Sequence, residues 1–223
     1  MISPFVAPAA LLLDLDGTIV DSRRDIALAC NAARAAHRLE PLDEDVIAAM
    51  VGDGARALVA RAFGIEQNDP LLEPALRSFH ESYVARPCVH STLLRGAREL
   101  LEHAAATDLP CAIVTNKPRE VAVLLLARLG VAGLLRGLWA GGDGPLKPNP
   151  AGIIFIAERL KVDPRLVWMI GDGPQDVGAG RSAGCVTIGV PGIAERDHLV
   201  ASGPSFVCAS LVEVRDLVIA AQA

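Results

Sequence analysis

Aromatic residues are scarce in this chain. Phe, Trp and Tyr make up 4% of its 223 residues, and there is one tyrosine. That leaves too few rings for a surface on which successive bases stack. Blocks of like charge are also missing and the formal net charge is −5, so the electrostatic footprint for a phosphate backbone is lacking. Nucleic acid is therefore not expected as a partner. The cysteines, Cys30, Cys88, Cys111, Cys185 and Cys208, form no C-x-x-C pair. Isolated thiols in apolar context behave as small buried hydrophobes, which suits a reduced, cytoplasmic setting. The histidines His37, His80, His90, His103 and His198 show no metal-ligand spacing and read as solvated or helix-surface residues. The longest apolar run, Phe5–Leu13, is interrupted by Pro8. It is too short to span a bilayer and lacks the basic flank of a signal peptide, so no membrane partner is expected.

What is present is ample apolar material, 52% of the chain, enough for one large domain or a domain plus a smaller module. Leu11–Leu15, broken only by Asp14 and followed by Gly17, reads as a buried parallel strand ending in a loop. Ser22 and Asp25 match a helix-start capping pattern. From there to about Val84 apolar residues recur at helical spacing (Ala27, Leu28, Ala32, Ala35 and Leu39; Val46, Ile47 and Met50; then Leu58 to Tyr83), with breaks at Glu40-Pro41, Gly52-Asp53-Gly54 and Asn68-Asp69-Pro70. After Pro87 the pattern alternates. Strands are expected at Cys111–Val114, Gly137–Ala140, Leu166–Ile170, Val186–Val190 and Phe206–Cys208. Helices are expected at Ala97–Ala106, Val121–Leu129, Ile153–Leu160, Val177–Ala183 and Val212–Ala221. Alternation of this kind predicts an α/β fold, a Rossmann-like parallel sheet with helices on both faces. The predicted organisation is an α/β core of residues 1–20 and 87–223, with an all-helical module of residues 21–86 inserted after the first strand as a cap. Its two ends must lie close together and can act as a paired hinge.

In open α/β sheets ligands bind beyond the carboxyl ends of the strands. The first strand delivers Asp14 and Asp16 there, the second Thr115 and Asn116, and the fourth Asp172 with Asp176 one turn on. Lys147 follows the third strand in a Gly- and Pro-rich stretch. Clustered carboxylates repel unless a cation is present. A hard divalent ion answers that, and Mg²⁺ suits few carboxylates with a phosphate co-ligand. Asp14-Leu15-Asp16-Gly17-Thr18 offers several backbone N–H groups in one tight loop, the kind that cradles phosphate oxygens, and Gly17 allows close approach.

The segments Asp14-Leu15-Asp16-Gly17-Thr18, Val114-Thr115-Asn116-Lys117-Pro118, Lys147-Pro148-Asn149-Pro150 and Gly171-Asp172-Gly173-Pro174-Gln175-Asp176 resemble, in order, the four motifs of the haloacid dehalogenase superfamily. Val51-Gly52-Asp53-Gly54-Ala55 is similar to a cap segment of its phosphoglycolate phosphatase branch. The resemblance implies a phosphomonoester hydrolase with Asp14 as nucleophile and Asp16 as acid and base. Thr115 and Lys147 would contact the phosphoryl group. It implies Mg²⁺ on Asp14, Asp172 and the Asp16 carbonyl, with Asp176 behind them or holding Lys147. Phosphate contacts would come from Leu15, Gly17, Thr115, Asn116 and Lys147. Gly173 departs from the family pattern, which has Ser or Thr there.

Three other classes compete. A dehalogenase needs neither a metal nor a second aspartate acting on an alkoxide, so Asp16 and Asp172 argue against it. A phosphomutase would need a cap gripping a second phosphate. A binding module does not need intact Asp14, Asp16, Lys147 and Asp172. The expected partner is a small-molecule phosphate ester, first of all 2-phosphoglycolate. Gly52, Asp53, Gly54 and Arg56 would face it, with the Arg56 guanidinium holding its carboxylate in paired hydrogen bonds. The mean hydropathy of +0.38 permits a monomer or a homodimer.

Overall fold

The structure is a computed structural model that describes residues 6–192 and 196–222. Phe5, the start of the predicted apolar run, lies outside the described residues. The first strand, β1 (Ala10–Leu13), is followed by a two-residue strand β2 (Val20–Asp21). Four helices come next: α1 (Arg23–Ala36), α2 (Glu44–Ala48), α3 (Ala55–Phe63) and α4 (Leu72–Ala85). The chain returns through β3 (Thr92–Leu93). It then alternates through α5 (Ala97–Ala106), β4 (Cys111–Pro118), α6 (Arg119–Arg128), β5 (Gly137–Gly141), α7 (Ala151–Leu160), β6 (Val167–Gly171), α8 (Pro174–Ala183), β7 (Val186–Gly189), α9 (Arg196–Ala201), β8 (Phe206–Val207) and α10 (Leu211–Gln222).

Six strands form one parallel sheet in the order β5-β4-β1-β6-β7-β8. β1 is central, with every residue fully buried, which explains its unbroken apolar sequence. Period-2 alternation divides the strands between two cores. Leu11, Leu13, Ile113, Trp168 and Ile170 face α5, α6 and α10. Leu12, Ala112, Val114 and Met169 face α7 and α8. Each buried leucine contributes about 1.5–3 kcal/mol by leaving water. The chain winds outward from β1 through β4 to β5, then recrosses to β6, β7 and β8. The direction of winding therefore reverses at β1, and a crevice opens beyond its carboxyl end.

The four inserted helices carry their own apolar cluster around Ile26, Cys30, Val59, Leu72 and Phe79, joined to the rest by Val121 on α6. β2 and β3 pair antiparallel, Val20 opposite Leu93 and Asp21 opposite Thr92, so the two connections of the insert run side by side. Among the described residues no helix is long and apolar enough to cross a membrane.

Four expectations need correction. Ser22 stands at the start of α1 but makes no capping bond, and its hydroxyl donates instead to Asp16 Oδ1 at 2.5 Å. Asp25 reaches away from its helix to the returning connection. Its carboxylate accepts from the backbone N–H groups of Val89, His90 and Ser91 and from Ser91 Oγ at 2.6 Å. Leu28, Leu39 and Val46 lie on solvent-facing surface: Leu28 is on the face of α1 opposite Ile26, Ala29, Cys30 and Ala33, Leu39 lies beyond the end of α1 at Ala36, and Val46 is on the outer side of the five-residue α2. β4 runs on to Pro118, past a register shift after Val114, so Thr115, Asn116 and Lys117 belong to the strand; α9 had no signal in the periodicity.

Burial would raise the Asp25 pKa, but the hydrogen bonds from Ser91, His90 and Val89 outweigh it and hold the carboxyl below its ordinary value. Asp25→Asn should therefore lower stability to urea by about 1–3 kcal/mol at neutral pH. A carboxyl held below its unfolded value stabilises the fold above the ordinary range and loses that effect as pH falls through the depressed value. The gap in urea stability between variant and wild type should close on acidification below the ordinary carboxylate range. A gap that stays constant would show that Asp25 does not act through its charge.

Candidate active site

The crevice beyond β1 collects charge from three separate loops and the end of β4. Asp14 follows β1 directly, and its N–H donates to Ile170 O of β6 at 2.9 Å. Lys147 comes from the loop between β5 and α7. Its Nζ lies 2.7 Å from Asp14 Oδ1 and 2.6 Å from Asp176 Oδ1. Asp176, in the first turn of α8, accepts the Gly173 N–H on its other oxygen at 3.0 Å. Asp172 accepts from Thr18 Oγ1 at 3.3 Å. Carboxylate oxygens of Asp14, Asp172 and Asp176 all lie within 4.8 Å of one another. Burial pushes the Asp14 pKa up, Lys147 pulls it back, and the result is about 6. Burial acts on Lys147 in the opposite sense, but Asp14 and Asp176 outweigh it and hold the ammonium above its ordinary value.

A second ion pair lies alongside. Asp16 turns its carboxylate to Lys117, whose Nζ is 2.8 and 3.0 Å from the two oxygens. The same ammonium donates to Tyr83 Oη of α4 at 2.6 Å. Lys117 is held above, and Tyr83 pushed up to about 12 against, their ordinary pKa values. For Tyr83 the main cause is burial. Lys117 would be lowered by burial, but Asp16 more than compensates.

The insert forms the opposite wall. Its Gly52-Asp53-Gly54 turn docks on the core, with Gly52 O accepting from Asn116 Nδ2 at 2.9 Å and Asp53 Oδ1 from Gln175 Nε2 at 2.7 Å. Asp53 is also paired with Arg61. Between the two walls is a cavity of about 640 Å³, lined by Asp14, Asp16, Thr115, Lys147 and Asp172 below and by Arg23, Asp53 and Arg61 above.

This constellation agrees with what the chain is similar to. The family model described as haloacid dehalogenase-like hydrolase matches residues 11–190. The chain belongs to that family. An N-acetylmuramic acid 6-phosphate phosphatase of Pseudomonas aeruginosa is 37% identical over 182 residues, covering 81% of this chain and 80% of the relative. A phosphoglycolate phosphatase of Chromobacterium violaceum is 37% identical over 215 residues, covering 93% and 95%. A crystal structure from Haemophilus somnus, described as a predicted phosphoglycolate phosphatase, superposes with a TM-score of 0.85 at 26% identity and covers 94% of this chain and 97% of that one.

Of the residues expected at the site of this haloacid dehalogenase-like hydrolase, Asp14, Asp16, Thr115, Asn116, Lys147, Asp172 and Asp176 all line the one cavity, as do Gly52, Asp53 and Gly54. Arg56 does not. Its guanidinium points outward to Glu73 Oε1 at 2.5 Å and Gln67 O at 2.8 Å. On α3, Ala55 and Leu58 face the cavity, and one residue turns a helix by roughly 100°, which carries Arg56 off that face. Arg23 and Arg61 supply guanidinium groups to the wall instead. His198 lies exposed on the surface of α9, as expected, and also borders the cavity. Sequence reasoning missed Lys117 and Tyr83. The signal for Lys117 was a lysine at the end of a buried strand, which needs a carboxylate partner. At Gly173 the backbone tolerates a side chain, but an added Cβ would press on Gln175 Oε1 at 2.7 Å, so glycine there leaves Gln175 free to reach Asp53.

The carboxylates suit a hard cation. Asp14 Oδ1 is buried, and its contact with Lys147 lacks hydrogen-bond geometry, so it has no hydrogen-bond partner. With Asp172 it offers an all-oxygen donor set of the kind that takes Mg²⁺. Asp176, with both oxygens engaged by Lys147 and Gly173, stands behind that set. Gly17 adopts φ +81°, and an added Cβ would lie 2.1 Å from Asp172 Oδ2. Gly17→Ala should therefore displace Asp172 and weaken Mg²⁺ binding, read by calorimetry, by about 10–100-fold. Unchanged affinity would remove Asp172 from the ligand set.

Proposed function

We propose that this protein is a Mg²⁺-dependent phosphomonoester hydrolase working through an aspartyl-phosphate on Asp14, with residues 1–20 and 87–223 as catalytic core and 21–86 as cap. The observation that carries the reading is Lys147 placed between Asp14 and Asp176, with Asp172 beside them, at the reversal point of the sheet. Mg²⁺, held by Asp14, Asp172 and the Asp16 carbonyl, would supply Lewis-acid neutralisation of phosphoryl charge.

The chain's own residues account for the rest. Asp14 attacks phosphorus, forming the Asp14–phosphorus bond as the ester bond breaks. Asp16 gives the leaving oxygen its proton, then takes one from the water that attacks phosphorus and releases Asp14. That role requires the Lys117 contact to give way in the step where Asp16 carries a proton. The backbone N–H groups of Leu15 and Asn116, the Thr115 hydroxyl and the Lys147 ammonium would surround the phosphoryl oxygens, where fixed donors act most strongly, while the Gly17 N–H is spent on Val20 O at 2.9 Å. Free, unpaired thiols suit the cytoplasm, and the enzyme would act as a monomer or homodimer.

The substrate reading is a phosphorylated carboxylic acid. 2-Phosphoglycolate is supported by the name of the Chromobacterium relative, which matches nearly end to end. A larger sugar acid phosphate such as N-acetylmuramic acid 6-phosphate is supported by the Pseudomonas relative and by the cavity. Its volume of about 640 Å³ is in the range that takes drug-sized ligands, more than a two-carbon acid fills. Arg56 no longer carries the selectivity. Arg23 and Arg61, held by Asp21 and Asp53, line the cavity and would face the leaving group in its place.

Turnover of both acids should exceed that of glucose 6-phosphate and should cease on chelation of divalent ions. Asp14→Asn should abolish turnover, and Asp16→Asn should lower kcat by about 10²–10⁴-fold in a folded protein. Full activity after exhaustive chelation, or wild-type rates in a phosphatase-free preparation of Asp14→Asn, would overturn the mechanism. A clear preference for glucose 6-phosphate would overturn the substrate class alone.

A further inference from the structure

Lys147 must deliver its ammonium accurately, yet it sits in a loop where its backbone has no strand neighbour. Both of its main-chain groups are taken by one side chain. Asn116 Oδ1 accepts the Lys147 N–H at 2.8 Å, and Asn116 Nδ2 donates to Lys147 O at 3.0 Å. The amide thus stands in for the adjacent strand that the loop lacks, satisfying polar groups that would otherwise be buried and unpaired. Its second N–H donates to Gly52 O of the cap at 2.9 Å. All its hydrogen-bonding capacity is spent on these groups except one acceptor lone pair.

The surroundings are built for this contact. Gly141, at the end of β5, comes so close that an added Cβ would lie 2.9 Å from Asn116 O. Gly54, at φ +86°, packs against Leu146, the neighbour of Lys147, where a Cβ would meet Cδ1 at 2.8 Å. The cap turn, the Lys147 loop and the β4 bulge therefore meet around one amide. The Asn116 side chain is not available to phosphate, which leaves only its backbone N–H for the contact expected from the sequence.

Resting on the phosphatase reading above, we infer that Asn116 is a positioning residue for the reaction. It fixes the Lys147 main chain and the docked cap turn on one amide, so that the Lys147 ammonium stands in place when the cap is closed. The effect passes through Lys147 and not through contact with the substrate.

The test is a double-mutant cycle on turnover of p-nitrophenyl phosphate with Mg²⁺, with thermal melts to confirm folding. Asn116→Ala should lower kcat by about 10²-fold, the scale of an ångström-sized misplacement, with a smaller change in KM. In a Lys147→Met background the same change should cost little more, since both act through one group. Asn116→Asp keeps the acceptor for the Lys147 N–H but sets a second oxygen against two carbonyls. It should follow the alanine variant, and it serves if that one fails to fold. Gln175→Ala removes the neighbouring link to Asp53 without touching Lys147, so its effect should add to that of Lys147→Met. Equal losses from Asn116→Ala in both backgrounds, or an unchanged kcat, would overturn the inference while leaving the phosphatase reading intact. A wild-type protein that hydrolyses no phosphate ester would sink that reading itself.

Discussion

The arrangement turns on the placing of Lys147 between Asp14 and Asp176. Taking charged groups out of water is costly unless each finds a partner. Here one ammonium serves two carboxylates, at 2.7 and 2.6 Å, while Asp172 adds a third negative group within 4.8 Å. Burial raises the Asp14 pKa against the pull of Lys147, and the neighbouring Asp176 adds to the rise. The acidic cluster of Asp14, Asp172 and Asp176 is of a kind that can hold a divalent cation.

Around this cluster the fold divides the labour. The central strand, covered on both faces, fixes Asp14 on a rigid support, and its neighbours β4 and β6 bring Thr115 and Asp172 to the same edge. Less rigid parts are tied in by polar contacts. Asp25 of the insert holds the returning connection, Gln175 and Asn116 hold the Gly52–Gly54 turn, and Lys117 joins Asp16 to Tyr83. These last three come from the loops and strand end that also carry Asp172 and Thr115. The contacts that hold the insert to the core and the residues that line the crevice therefore come from the same loops and strand end.

Much of this was legible before any coordinates. Each core strand expected from an apolar run is present, and α5 coincides with its predicted range, because fully buried strands and one-faced helices leave periodic marks. The family motifs converge on one crevice, since the parallel topology sends every strand's carboxyl end to the same side. Errors fell where short-range pattern and long-range contact compete. Ser22 and Asp25 look like a cap in sequence, yet tertiary partners take both side chains. Arg56 follows a glycine turn that does face the site, but one helical step rotates it away. Lys117 lies within a quoted motif, and its carboxylate partner is a hundred residues distant in the chain.

The sequence by itself determined the α/β class, the helical insertion, the family and the acidic residues that line the crevice. These follow from hydrophobic period and from residue types at loop positions, which are local properties. Only the tertiary structure decided which cation meets which carboxylate, which face of α3 the cavity sees, and that one asparagine amide joins the Lys147 loop to the insert. Those outcomes depend on distances between residues far apart in the chain. Such distances are set by packing of whole elements against one another, and no local window of sequence contains them.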